Sequence, residues 1–128
     1  GHDPAALPLA INTHAFLAPT VEEADAAFMA TYLQGMNRIG RERGWPPSGP
    51  EQYRALRSPR GALAVGSPEE IAEKILFQHD IFRHRRLMLQ FSVGTMAHAD
   101  IMRSIELYGT RVAPAAREEI ARRMLAAT

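Results

Sequence analysis

Residues 66–112 read GSPEEIAEKILFQHDIFRHRRLMLQFSVGTMAHADIMRSIELYGTRV, and no other stretch limits the possible folds of this chain as strongly. Ser67-Pro68-Glu69-Glu70 is a capping box: the Ser67 hydroxyl can accept from the Glu70 amide while the Glu70 carboxylate reaches back. Pro68 suits the first helical position, and the two glutamates suit the positive end of the helix dipole. The spacing of Ile71, Ile75, Gln78 and Phe82 predicts a helix over 68–82, ended by the charged turn Arg83-His84-Arg85-Arg86. Leu87 to Val93, LMLQFSV, is apolar on nearly every residue. It predicts a strand over 87–93 buried on both faces, as in a parallel sheet. Gly94 and Thr95 end it, and a further helix is predicted over 98–112. Pro114 should kink or break that helix and leave a polar tail to Thr128.

The first half carries a similar order. Leu7 to Ile11, LPLAI, predicts a strand over 7–12 with Pro8 near its start. Thr20-Val21-Glu22-Glu23 is a second capping box. The helix it opens should run over 20–43 and stop at Gly44. Residues 44–65 differ in composition, with Pro46, Pro47, Gly49, Pro50 and Pro59. They predict an excursion that contains a short helix near 51–56. Ala62 to Val65 is a brief apolar segment whose state the sequence leaves open. Helices alternating with apolar strands predict an α/β architecture with parallel pairing.

The bulk properties exclude several classes. At 128 residues the chain predicts a single domain, 1–128. Fifteen basic and fourteen acidic side chains are intermixed for a net charge of +1, so there is no basic field for nucleic acid. No apolar run approaches the ~20 residues of a membrane-spanning helix. The residues GHDPAALPLA do not read as a signal peptide. There is no cysteine, which removes disulfides, thiolate nucleophiles and cysteine zinc sites. Cytoplasmic residence fits this composition.

Candidate chemistry lies at the strand ends. Ser92, Gly94 and Thr95 follow the strong strand, and glycine there would let a ligand approach the backbone. Asn12, Thr13 and His14 are expected at the equivalent corner after the first strand, with His14 suited to proton transfer. The alternative for both corners is ordinary turn chemistry. The Gly66-Ser67 corner could hold an anion on free amides. However, Glu69 and Glu70 would repel one, so a plain structural cap is the better reading. His2, His14, His79, His84 and His98 show no metal-binding spacing, and no metal is expected. Arg83, Arg85 and Arg86 read as a solvated turn. Trp45, flanked by Pro46 and Pro47, reads as a packing anchor.

Three segments together, RERGWPP at 41–47, GSPEEIAEKI at 66–75 and SIELYG at 104–109, resemble the carboxyl-terminal portion of bacterial luciferase-like, flavin-dependent monooxygenases. The resemblance spans most of the chain and implies a helix-rich, partial (β/α)8 TIM barrel that holds only the last strands and helices. Leu7–Asn12 would be the penultimate strand and Leu87–Gly94 the last, with 44–65 as the excursion before the last long helix. A whole barrel typically takes ~250 residues, so about six strands would lie outside this chain. The family implies FMN, or a deazaflavin in some branches, and oxidation of a small organic substrate. Ser92, Gly94 and Thr95 would then lie at the rim of the cofactor pocket, and Asn12 and His14 near substrate. By itself this part is expected to be inactive and to bind FMN weakly or not at all. The alternative is a non-catalytic ligand- or partner-binding module. Either way, the open apolar strand edge implies a homo-oligomer.

Overall fold

A computed structural model describes residues 1–128. A 3-10 turn over Pro4–Ala6 leads to β1 (Ala10–Leu17), α1 (Val21–Arg43), α2 (Pro50–Arg57), β2 (Ala64–Gly66), α3 (Pro68–Phe82), β3 (Arg86–Gln90) and α4 (His98–Leu107). A π-helical turn over Tyr108–Val112 then joins α4 to α5 (Ala113–Ala126). The class is α/β. Three parallel strands lie in the order β2-β1-β3.

Both capping boxes form. Thr20 accepts from the Glu23 amide, and Ser67 from the Glu70 amide, with each glutamate reaching back to its cap. Gly44 closes α1 in the left-handed region at φ 71°. Gly66, ahead of the second box, is fixed by that box: a Cβ there would lie 2.5 Å from Glu70 Oε2, the atom that accepts from the Ser67 amide. The corner is therefore built as a structural cap. The excursion does hold a helix, α2, over nearly the expected residues.

Three expectations need correction, and one segment left open by the sequence is resolved. The first strand is Ala10–Leu17, not 7–12. Pro8 carries no N–H, the chain before it coils into the 3-10 turn, and Leu7 and Leu9 are exposed. Asn12, Thr13 and His14 therefore lie in mid-strand, not at a corner. The strand at 87–93 is shorter, Arg86–Gln90: it pairs with β1 from Ala10↔Arg86 to His14↔Gln90, and the chain then leaves the sheet although β1 runs on to Leu17. Its buried side is Leu87 and Leu89, while Met88 is 46% exposed on the other. Ala64–Gly66 is a true strand, paired with β1 from Ala15↔Ala64 to Leu17↔Gly66. Finally, Pro114 does not end the helix. The ring of a helical proline clashes with the carbonyl four residues back and lacks a donor. The π turn just before it widens the backbone at that point, and α5 runs on to Ala126.

The carboxyl-terminal half of β1, together with β2, is buried on both sides. On one face Phe16 and Val65 pack with Phe28 and Tyr32 of α1 and Tyr53 of α2. On the other, Ala15, Leu17 and Ala64 pack with Ile71 and Ile75 of α3 and with Val112 and Ala116. The reason is topological. The crossover through α1 moves from β1 to β2, and the crossover through α3 moves back past β1 to β3. Right-handed crossovers in opposite directions place their helices on opposite faces. No helix is long and apolar enough to cross a membrane.

Candidate functional site

In α/β sheets ligands gather beyond the carboxyl ends of the strands, where the strand order reverses. Here that place is the end of β1, beside the segment 91–97 that leaves β3. A crevice of about 470 Å³ lies there, lined by Phe16, Leu17, Ala18 and Pro19 on one side and by Asp100, Arg103 and Glu106 of α4 on the other. Glu23 and Ala27 of α1 complete it. The wall is held by one buried hydroxyl. Ser104 is fully buried, and its Oγ accepts from the Leu17 amide at 2.7 Å, which ties α4 to the strand end.

The charge in this crevice decides what it can take. Arg103 is its one cation and is ion-paired with Asp100. Glu23 and Glu106 add two further carboxylates. The flavin that the family resemblance implies would bring a phosphate to this end of the sheet. A phosphate here would meet three carboxylates and one arginine already engaged, so the residues present do not fit it. The crevice suits a neutral or cationic group that hydrogen-bonds to carboxylates.

Of the residues singled out in the sequence, Asn12 and His14 are brought together. They line a smaller cavity of about 250 Å³ on the α1 side of the sheet, with Tyr32 and Gln90. The His14 ring meets Tyr32 edge-on, with centroids 6.0 Å apart. Thr13 also lines this cavity, and its hydroxyl donates to the Ala62 carbonyl at the cavity wall. Ser92, Gly94 and Thr95 are exposed, and none of them lines the crevice at the end of β1. Gly94 has φ 64°, and a Cβ there would lie 3.0 Å from Thr31 Cγ2. Its lack of a side chain thus serves the close approach of α1, where the sequence suggested a ligand. Trp45 lies against Gly40 and under the Arg43 guanidinium at 5.3 Å, but it is 51% exposed.

The polar network beneath the excursion was not read from the sequence. Tyr53 is fully buried, and its hydroxyl donates to Asp25 Oδ1 at 2.8 Å. The Arg57 guanidinium lies 3.1 Å from the same oxygen. Burial, then the hydrogen bond to Asp25, raises the Tyr53 pKa, and burial raises that of Tyr32. Lys74 is also buried, with Nζ donating to the Leu63 carbonyl at 2.5 Å and the Arg57 carbonyl at 3.2 Å. Burial, and then the nearby Arg57 charge, pushes it down to about 8. The available signal was the placement of Lys74 between Ile71 and Ile75, on the apolar side of α3. No group of three or more His, Asp or Glu side chains is arranged to hold a metal ion.

No family model matches the chain, and no curated protein matches its sequence. Solved structures do match in shape. Monooxygenase RslO1 from Streptomyces bottropensis aligns with a TM-score of 0.61 at 23% identity, over 82% of this chain and 30% of its own. Apo-MsnO8 aligns with a TM-score of 0.59 at 20% identity, over 84% of this chain and 34% of its own. The chain thus spans about a third of the length of these structures. Its α/β fold, with β1 and β3 as neighbouring parallel strands, is shared with part of a monooxygenase chain.

Proposed function

We propose that this chain is the carboxyl-terminal part of a flavin-dependent, luciferase-like monooxygenase that oxidises a small organic substrate. In this reading β1 and β3 are the last two strands of a (β/α)8 barrel. The supporting observation is their parallel register, Ala10↔Arg86 to His14↔Gln90, in a chain that aligns with monooxygenase RslO1. The chain would contribute one wall of the substrate pocket, with Asn12 and His14 on it and Ser92, Gly94 and Thr95 at the rim. FMN, or a deazaflavin, would be held through its phosphate by the remainder of the enzyme, since the acidic crevice at the end of β1 disfavours that group. Flavin fluorescence tests this. The 128-residue chain should show no saturable binding, whereas the polypeptide of its full reading frame should bind FMN with a low-micromolar Kd, about −8 kcal/mol, and consume oxygen once the flavin is reduced. Low-micromolar binding by the short chain would place the phosphate site within it. A full product that neither exceeds this chain nor consumes oxygen would sink the enzymatic reading.

A second reading, a binding module that associates with itself, is favoured by exposed apolar side chains. Ile81, Phe82, Met88, Met102 and Ile105 are each more than 40% exposed.

A further inference from the structure

The largest feature outside the candidate site lies at the opposite end of the sheet, where α3 turns into β3. A cavity of about 790 Å³ opens there between the end of α3, the start of β3 and the inner side of α5. One part of its wall is apolar, formed by Ile75, Leu87, Ala113, Ile120 and Met124. The other is cationic. Arg83, Arg85, Arg86 and Arg117 line it together with His79 and His84, and no carboxylate does. Of the acids close in sequence, Asp80 pairs with Arg123 and Glu119 with Arg122 and Arg123, while Glu118, next to Arg117, is exposed and does not line the cavity. The arginines read from sequence as a solvated turn thus converge on one cavity.

We propose that this cavity binds a small amphipathic oxyanion, with a phosphate or carboxylate head against the arginines and a short apolar chain along α5. Three observations carry it. His84 is 7% exposed, lines the cavity, and its Nδ1 has no hydrogen-bond partner. Buried polar atoms are nearly always paired, so an unpaired nitrogen within the wall of a cavity is a donor or acceptor left over for a ligand. A rotation of the ring that brings Nδ1 to the cavity would let an N–H there donate to an oxyanion oxygen. The His79 ring stands edge-on to His84 with centroids 5.5 Å apart. Arg83 is the one non-glycine residue with positive φ, 50°, at the left-handed cap that ends α3. Glycine fits such a cap without the Cβ clash. An arginine there directs a long cationic side chain to the cavity mouth at some cost to the fold. The apolar wall gives the ligand its second half: inorganic phosphate alone would leave Ile120 and Met124 uncovered.

The test uses the whole chain and three probes of one length: hexyl phosphate, hexanoate and hexan-1-ol. Calorimetry gives affinity, and carbon-detected shifts of the histidine rings give location. Hexyl phosphate should bind at least about tenfold more tightly than hexan-1-ol, weaken with salt, and shift His79 and His84. Hexanoate affinity then separates a carboxylate preference from a phosphate one. Arg83→Gly is the decisive variant. It should melt no lower than the parent, because glycine suits the cap, yet lose about fivefold or more in hexyl phosphate affinity. Equal binding of the alcohol and the phosphate would reduce the cavity to an apolar groove. Full affinity in Arg83→Gly, or shifts elsewhere than these histidines, would return the arginines to a solvated turn. His84→Gln, which keeps a polar group at the buried position, should weaken binding in the same direction.

Discussion

Lys74 shows what a single buried charge does in this chain. Its ammonium is out of water, held by two carbonyls, and gives up its proton near 8. A lysine in the unfolded chain does so near 10.4. Between these values the unfolded state binds more protons, so stability rises with pH. The urea midpoint should therefore climb between about pH 8 and 9.5, and Lys74→Met should abolish the climb. Tyr32 and Tyr53 do not interfere in that window. Both pKa values are raised, so both stay neutral, and they weaken the fold only above pH ~10. A flat wild-type profile would mean that Nζ remains solvated. Part of this scale was legible in the sequence. The partners of Thr20, Ser67 and Gly44 are local, within four residues, and the spacing displays them. The partners of Tyr53, Lys74 and Ser104 come from other elements. A side chain's identity does not reveal a neighbour that the fold supplies from tens of residues away.

Among the elements, α4 is tied to the end of β1 by one buried hydrogen bond, beside the packing of Leu107 on the core. The Leu17 amide is buried at the end of β1, beyond the reach of β3, and Ser104 Oγ is its partner. Ser104→Ala leaves that amide unpaired, which costs about 1–3 kcal/mol. For a chain this size that is a fall of several degrees in Tm. The amide of Leu17 should also exchange with solvent much faster, and unchanged exchange there would mean another acceptor exists. The long helices α1 and α3 were legible because cap, stripe and stop agree. β1 was not, because it is two half-strands in one: a polar half paired with β3 and an apolar half paired with β2. Asn12-Thr13-His14 reads as a turn in a sequence, yet it sits comfortably where one face of the sheet is only partly covered. α5 was hidden by Pro114, whose effect the π turn cancels.

At the scale of the molecule, the strand order could not have been read from composition or periodicity, since it depends on the direction of each crossover. The outer edges of β2 and β3 are unpaired, and an open parallel edge beside exposed Met88 is a surface for association. Light scattering at micromolar concentration should give a mass above 14.2 kDa. Charges introduced at Met88 and Ile81 should lower it toward one chain. A cooperative melt from a clean monomer would show that the chain covers its own core.

The division of β1 into two half-strands also bears on how the chain is made. Of the three strands, the first to leave the ribosome is the central one, and its amino-terminal half pairs with the third. At roughly 5–20 residues per second, β1 must wait several seconds for β3 to be synthesised. In that interval Ala10–His14 has no β3 to pair with, while Ala15–Leu17 meets β2 sooner. The sheet therefore closes from its carboxyl end downward during synthesis, and the half that carries Asn12 and His14 is the last to be buttressed.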